Sequence, residues 1–268
     1  MRFSASSMGF PGPEINNMAL LPKDFGIEIF YEWGSADYWN DALDLIMRER
    51  TGGFSIHSPF NNVDICMPCD EEKLFHVLRT PFDLYHKYSG EFYVVHTNGY
   101  LPADADKQFE DDCRKRAEDR LARFHEICVS EGVRMVVENL GFRRGKKHLY
   151  NHQQFLELFQ ALPEIWCLID TGHTLLGDFD IYDIQKTLKN RLVAYHVHDN
   201  DKMLDQHLRI GAGCLDWNRF AQGYKEFTPD AAIVMEYNLA AIKEYQEDKD
   251  RLLALLSQTG SAQYGNNA

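Results

Sequence analysis

Apolar residues along the chain gather in short runs, each followed by a longer stretch in which they recur at i, i+3, i+4 and i+7. The runs predict strands at 2–6 (RFSAS), 25–30 (FGIEIF), 54–58 (FSIHS), 92–97 (FYVVHT), 134–139 (RMVVEN), 166–170 (WCLID), 192–198 (LVAYHVH) and 232–237 (AIVMEY). The stretches between them predict helices at 38–50, 72–88, 109–132, 151–163, 181–190 and 216–227, with a last one at 240–258. Strands that are nearly continuous apolar runs read as parallel strands covered on both faces. Eight strand–helix alternations suit closure, and no GxGxxG follows the first strand as it would in a doubly wound dinucleotide fold. The expected architecture is a single (β/α)8 TIM barrel over residues 1–258, with the small polar segment 259–268 as a flexible tail.

Composition narrows the functional classes. The 268 residues are 44% hydrophobic and 13% aromatic, enough for one large core. No run approaches the ~20 apolar residues of a membrane span, and the first ten residues lack the apolar segment of a secretion leader, so a cytoplasmic location is expected. With 28 basic against 41 acidic residues the formal charge is −13, which disfavours a nucleic-acid partner, because phosphate binding draws largely on Lys and Arg. The one dense basic segment, FRRGKK at 142–147, reads as a solvated loop or a local phosphate contact. The six cysteines lack the spacing of a disulfide scaffold, and Cys66 and Cys69 in CMPC read as plain loop thiols.

The candidate chemistry lies where the strands end. In a parallel barrel the carboxyl ends of the strands surround one pocket. Those ends carry His57, His96, Glu138, Asp170, His196 and Glu236, whereas Asp, Glu and His together make up only about a fifth of the chain. Any one of these histidines taken alone reads as a hydrogen-bonded strand cap. Glu138 and Glu236 carry more weight, since a carboxylate closing an apolar strand must be paired, metal-bound or desolvated at a cost.

Further donors follow in the loops. In DTGH the chain turns after Asp170 so that His173 swings back over the same mouth. His196 and His198 are two apart and share a strand face, with His198 nearer solvent. A long loop then carries Asp205 and His207 over the pocket. Oxygen and imidazole donors without thiolate suit Zn²⁺ or Mn²⁺, with Co²⁺ and Fe²⁺ as alternatives, and the number of carboxylates allows one to three ions.

The set IHSPF, VVHTN, VVENLG, LIDTGH, HVHDN, LDQH, GAGCLDW and VMEY resembles the xylose isomerase-like TIM-barrel superfamily, which includes sugar isomerases and epimerases and endonuclease IV. The sugar epimerase resemblance implies one divalent ion held by Glu138, Asp170, His196 and Glu236. Glu138 and Glu236 would then move protons on opposite faces of the substrate through a metal-stabilised enediolate. It further implies that His173 touches substrate oxygens, and His96, His198 and Arg209 are the other candidate substrate contacts.

Endonuclease IV implies a different use, with nine ligands for three zincs: His57, His96, Glu138, Asp170, His173, His196, Asp205, His207 and Glu236. Against it, VVHTN lacks the nuclease's His-Pro-Gly turn, the loops show no basic and aromatic DNA-binding set, and the chain is strongly acidic; GAG, where sugar isomerase-like relatives carry Gly-Glu-Gly, is a departure from that family's own pattern. The expected function is therefore a divalent-metal-dependent isomerase or epimerase of a sugar or sugar derivative, in a barrel of a kind that commonly pairs as a homodimer. The alternatives are a multinuclear zinc phosphodiesterase and a sugar-binding barrel without catalysis.

Overall fold

A computed structural model describes residues 1–33, 36–61, 63–97, 100–141 and 146–258. The expected barrel strands all form: β1 (Phe3–Ser6), β2 (Gly26–Phe30), β3 (Phe54–His57), β4 (Phe92–His96), β6 (Met135–Glu138), β8 (Trp166–Asp170), β9 (Leu192–Val197) and β10 (Ala232–Met235). They pair in parallel in that order, and β10 closes on β1. The remaining strands, β5 (Tyr100–Pro102) and β7 (Lys146–His148), form an antiparallel pair outside the barrel that the apolar pattern does not predict.

The helices are α1 (Ala36–Ile46), α2 (Glu71–Arg79), α3 (Phe82–Lys87), α4 (Lys107–Ser130), α5 (His152–Ala161), α6 (Thr171–Leu176), α7 (Ile181–Leu188), α8 (Trp217–Phe227) and α9 (Ile242–Gln258). The single helix expected at 72–88 is two. Pro81 has no N–H to continue the first, and its ring crowds the turn before it. Asp70, Asp106, Asn151, Asp180 and Asp216 cap their helices through side-chain oxygens, each contributing about 1 kcal/mol.

Strand alternation sorts the core into two layers. Phe92, Val94, Val136, Leu168, Ala194, Ala232 and Val234 fill the barrel interior. Their neighbours, such as Ile29, Tyr93, Val137, Ile169, Tyr195 and Ile233, face outward into a continuous core with the helices. One step beyond the interior layer, on the same face, come His96, Glu138, Asp170, His196 and Glu236, each two residues after an interior apolar side chain. Register holds them level: His96 is opposite Glu138, and Asp170 is opposite His196.

The tail 259–268 and residues 142–145 of the basic segment lie outside the described residues, while Lys146 and Lys147 belong to β7. Cys66 is buried and Cys69 exposed, and both are free thiols. Among the described residues no helix is long and apolar enough to cross a membrane.

Candidate metal centre and its cavity

The strand-end residues meet at the floor of a cavity of about 770 Å³, within the range of pockets that take small-molecule ligands. His57, His96, Glu138, His173, Asp205, His207 and Glu236 line it. Asp170, His196 and His198 lie behind them, wholly buried. The donors fall into five overlapping groups, gathered at three neighbouring places around that floor.

The first group is His57, His96 and Glu138. His57 Nδ1 sits 2.9 Å from the Ser58 carbonyl oxygen, so its proton is donated there and Nε2 is left as an acceptor. That nitrogen faces His96 Nε2 at 2.8 Å, and Glu138 Oε2 lies 3.5 Å from the first and 3.2 Å from the second. Oε2 has no hydrogen-bond partner, although it is buried. A buried carboxylate oxygen aimed at two converging imidazole nitrogens is a donor set that a cation completes.

The second group centres on His196. Its Nδ1 is 3.2 Å from Glu138 Oε1 and 3.6 Å from Glu236 Oε1, so the two glutamates flank one nitrogen. Glu236 Oε1 is also buried without a hydrogen-bond partner. Glu138, Asp170, His196 and Glu236 come together as overlapping triplets: Glu138 with Asp170 and His196, and Glu236 with His196 and Glu28. Glu28 is the participant that strand ends do not reveal. Its Oε1 lies 2.7 Å from His196 Nε2, and Ser55 Oγ donates to its other oxygen at 2.9 Å. A carboxylate close behind the outer nitrogen favours a proton there and leaves the inner nitrogen to the site.

The third group is His173, His198, Asp205 and His207. Asp205 Oδ2 lies 3.1 Å from His173 Nε2 and 3.5 Å from His207 Nε2. The Nδ1 atoms of these histidines face the backbone carbonyls of Asn139 and Glu236, at 2.9 and 3.0 Å, which again leaves Nε2 toward the site. His207 adopts a positive φ of 48°, an uncommon conformation held by the bond from Asn238 N–H to its carbonyl.

Two expected substrate contacts are placed elsewhere. His198 is buried with Nε2 on Asp170 Oδ2 at 2.9 Å and its ring stacked on His207 at 3.9 Å, so it supports the donors from behind. Gly172 lies against the same ring, and a Cβ there would run into it. Arg209 turns away from the cavity. Its guanidinium meets Glu244 at 2.7 Å, Glu247 at 3.1 Å and the wholly buried Asp248 at 2.9 Å, all on α9. That network ties the loop of Asp205 and His207 to the last helix.

The buried charges set each other's protonation. Burial would raise the Glu138 pKa, but His196, His96 and His57 outweigh it and hold the group well below the usual carboxylate range. At Glu236 burial prevails over His196 and His207, and the pKa is pushed up to about 7. Burial likewise opposes ionisation of Asp170, yet His173 and His198 bring it down to about 2. Burial pulls His207 down, but Asp205 outweighs it and lifts it to about 9. Among the described residues lining the cavity, none is Lys or Arg.

A family model described as xylose isomerase-like TIM barrel matches residues 5–255. The chain belongs to that family. Two uncharacterized proteins of Methanocaldococcus jannaschii are similar to it in sequence. One is 29% identical over 103 residues, 35% of this chain, and the other 23% over 188 residues, 68% of it. The chain spans 36% and 63% of those relatives' lengths.

Solved structures share the family fold along nearly their whole length. A D-tagatose 3-epimerase-like protein superposes with a TM-score of 0.82 at 21% identity, covering 97% of this chain and 98% of its own. An L-ribulose 3-epimerase gives 0.75 at 15%, covering 99% of each chain. The IOLI protein with a binding zinc atom gives 0.75 at 17%, covering 97% of this chain and all of its own.

Proposed function

We propose that the protein is a divalent-metal-dependent isomerase or epimerase acting on a sugar or sugar derivative. The observation that carries this reading is the pair Glu138 and Glu236, two buried carboxylates that flank His196 Nδ1 at 3.2 and 3.6 Å at the floor of the cavity. Two carboxylates on one cavity floor can divide the removal and return of a proton between them. Glu236 takes the proton from the carbon beside a substrate carbonyl, and Glu138 returns one from the opposite face. Glu138, Asp170, His196 and Glu236 would hold the ion, Zn²⁺ or Mn²⁺ before Co²⁺ or Fe²⁺, and a bound ion supplies polarisation of the carbonyl and its neighbouring hydroxyl. His173 and His96, both on the cavity wall, are placed to meet substrate oxygens. The epimerases among the structural neighbours support the same class of substrate.

A second reading is favoured by the other two donor groups. Filled together, the three groups would make a trinuclear zinc site suited to phosphodiester cleavage. Elemental analysis of the purified chain, paired with two assays, separates the readings: a panel of ketoses followed by NMR, and cleavage of a duplex bearing an abasic site. One tightly held ion with conversion of a ketose to its isomer or epimer is expected. Three zincs with duplex cleavage and no sugar conversion would overturn the proposal in favour of the hydrolase.

A further inference from the structure

The loop after β3 brings an aromatic ring and two polar side chains to the same cavity: Phe60, Asn61 and Asp64. Phe60 is only partly buried, and its ring adjoins the first donor group, 5.5 Å from His57 and 5.4 Å from His96. The buried Phe30 ring meets it edge-on at 5.9 Å. An aromatic platform with hydrogen-bonding groups on the same loop therefore begins beside the donors.

The loop is held from outside itself. Glu32 Oε2 accepts the backbone N–H groups of Phe60 at 2.7 Å and Asn61 at 3.1 Å. Further along, Arg120 of α4 donates to the carbonyls of Ile65 at 2.9 Å and Met67 at 2.7 Å. Asp64 Oδ1 accepts the backbone N–H groups of Cys66 at 2.9 Å and Met67 at 3.2 Å. Those bonds fix the carboxylate and leave it acceptor sites to spare, while the exposed Asn61 amide offers both donors and an acceptor. Groups positioned in advance lose little conformational freedom when a ligand arrives.

A pyranose ring has the matching shape. Its C–H bonds give it apolar faces that pack on the electron-rich face of an aromatic ring, and its hydroxyls project round the edge toward amide and carboxylate partners. A phosphate does not match, because Asp64 would repel it and none of the described residues lining the cavity is Lys or Arg. The cavity also has room. Even at the ~30 Å³ that one water molecule takes in the liquid, the heavy atoms of a ketohexose fill about 360 Å³, roughly half of the 770 Å³ present.

We propose that Phe60, Asn61 and Asp64 form a subsite for a second sugar ring, so that the preferred substrate is a reducing disaccharide with a ketose end, glycosylated on a hydroxyl away from its carbonyl. This rests on the sugar-enzyme reading above. The ketose in its open-chain form presents its carbonyl and the adjacent carbon to Glu138 and Glu236. The second ring stacks on Phe60, with its hydroxyls on Asn61 and Asp64. The proton moves on the ketose alone, and the glycosidic bond neither forms nor breaks.

The test is calorimetric titration of the manganese-loaded chain with fructose, fructose 6-phosphate and glycosylated fructoses that keep a free carbonyl: isomaltulose, leucrose and lactulose. At least one disaccharide is expected to bind tenfold or more tightly than fructose, and fructose 6-phosphate no more tightly than fructose. In Asn61→Ala, and independently in Phe60→Leu, the disaccharide's advantage is expected to shrink to less than threefold while the Kd of fructose moves less than twofold. Thermal melting checks that each variant folds, and either one alone carries the test. Disaccharides no tighter than fructose, an advantage that survives both substitutions, or a phosphate ester preferred over every disaccharide would overturn the subsite and leave the sugar-enzyme reading standing. No binding by any sugar in the panel would overturn both.

Discussion

His196 Nε2 lies 2.7 Å from Glu28 Oε1, an ion-pair contact between wholly buried side chains, and neither atom is engaged in a hydrogen bond. This contact leaves Nδ1 of the same imidazole facing Glu138 and Glu236. Glu28 is therefore a positioning residue for the donor at the centre of the site. Glu28→Gln is expected to weaken metal binding by roughly 10–100-fold, the usual effect of losing such a partner. Competition against a chromophoric chelator reads it directly. An unchanged affinity would remove Glu28 from the account.

The protonation of the donors predicts how metal and pH interact. In the metal-free protein the pKa of Glu236 is raised from 4.5 to about 7, and that of His207 from 6.5 to about 9. A group whose folded pKa is raised contributes stability that is present below its unfolded value and is lost as pH rises through the folded one. The metal-free protein should thus lose stability from pH 4.5 to pH 7 as Glu236 ionises, and from pH 6.5 to pH 9 as His207 gives up its proton. A bound ion replaces those protons, and its affinity rises as they leave. Melting temperatures with and without metal should diverge as pH rises; a gap that stays constant or narrows would contradict the assignment.

Arg209 illustrates a residue whose role depends on a distant element. Because it clasps three acids on α9, Arg209→Met should destabilise the fold by about 3 kcal/mol by taking from the buried Asp248 its nearest cation and leaving Arg251, at 3.9 Å, as the remaining one. Arg209→Lys should recover part of that. Chemical denaturation measures both. A substrate contact would behave in the opposite way, raising KM with stability intact.

Much of the architecture can be read from hydrophobic periodicity, because strands buried on both faces and helices apolar on one leave different periods. The donors are readable for the same reason: once parallel strands close, residues two positions beyond interior Val94, Val136, Leu168, Ala194 and Val234 must converge. Glu28 escapes that logic. It sits within β2, level with Ser55 and one interior step below His57, so it ends no strand. Its signal is a carboxylate between Ile27 and Ile29, where an apolar residue fits the interior better. Arg209 escapes for another reason. A cation two residues after a candidate ligand reads as a substrate contact until Glu244, Glu247 and Asp248, spaced along one face of α9, are seen to draw it away. The break between α2 and α3 is marked by Pro81, which helical periodicity alone overlooks.

Proton exchange with solvent tests the central claim most directly. The metal-loaded protein, incubated in heavy water with a sugar it converts, should introduce deuterium at the carbon beside the carbonyl, observed by NMR. Glu236→Gln should slow that exchange by about a hundredfold or more while melting as a folded protein. Conversion without deuterium incorporation, or exchange undiminished in Glu236→Gln, would contradict proton transfer by this carboxylate.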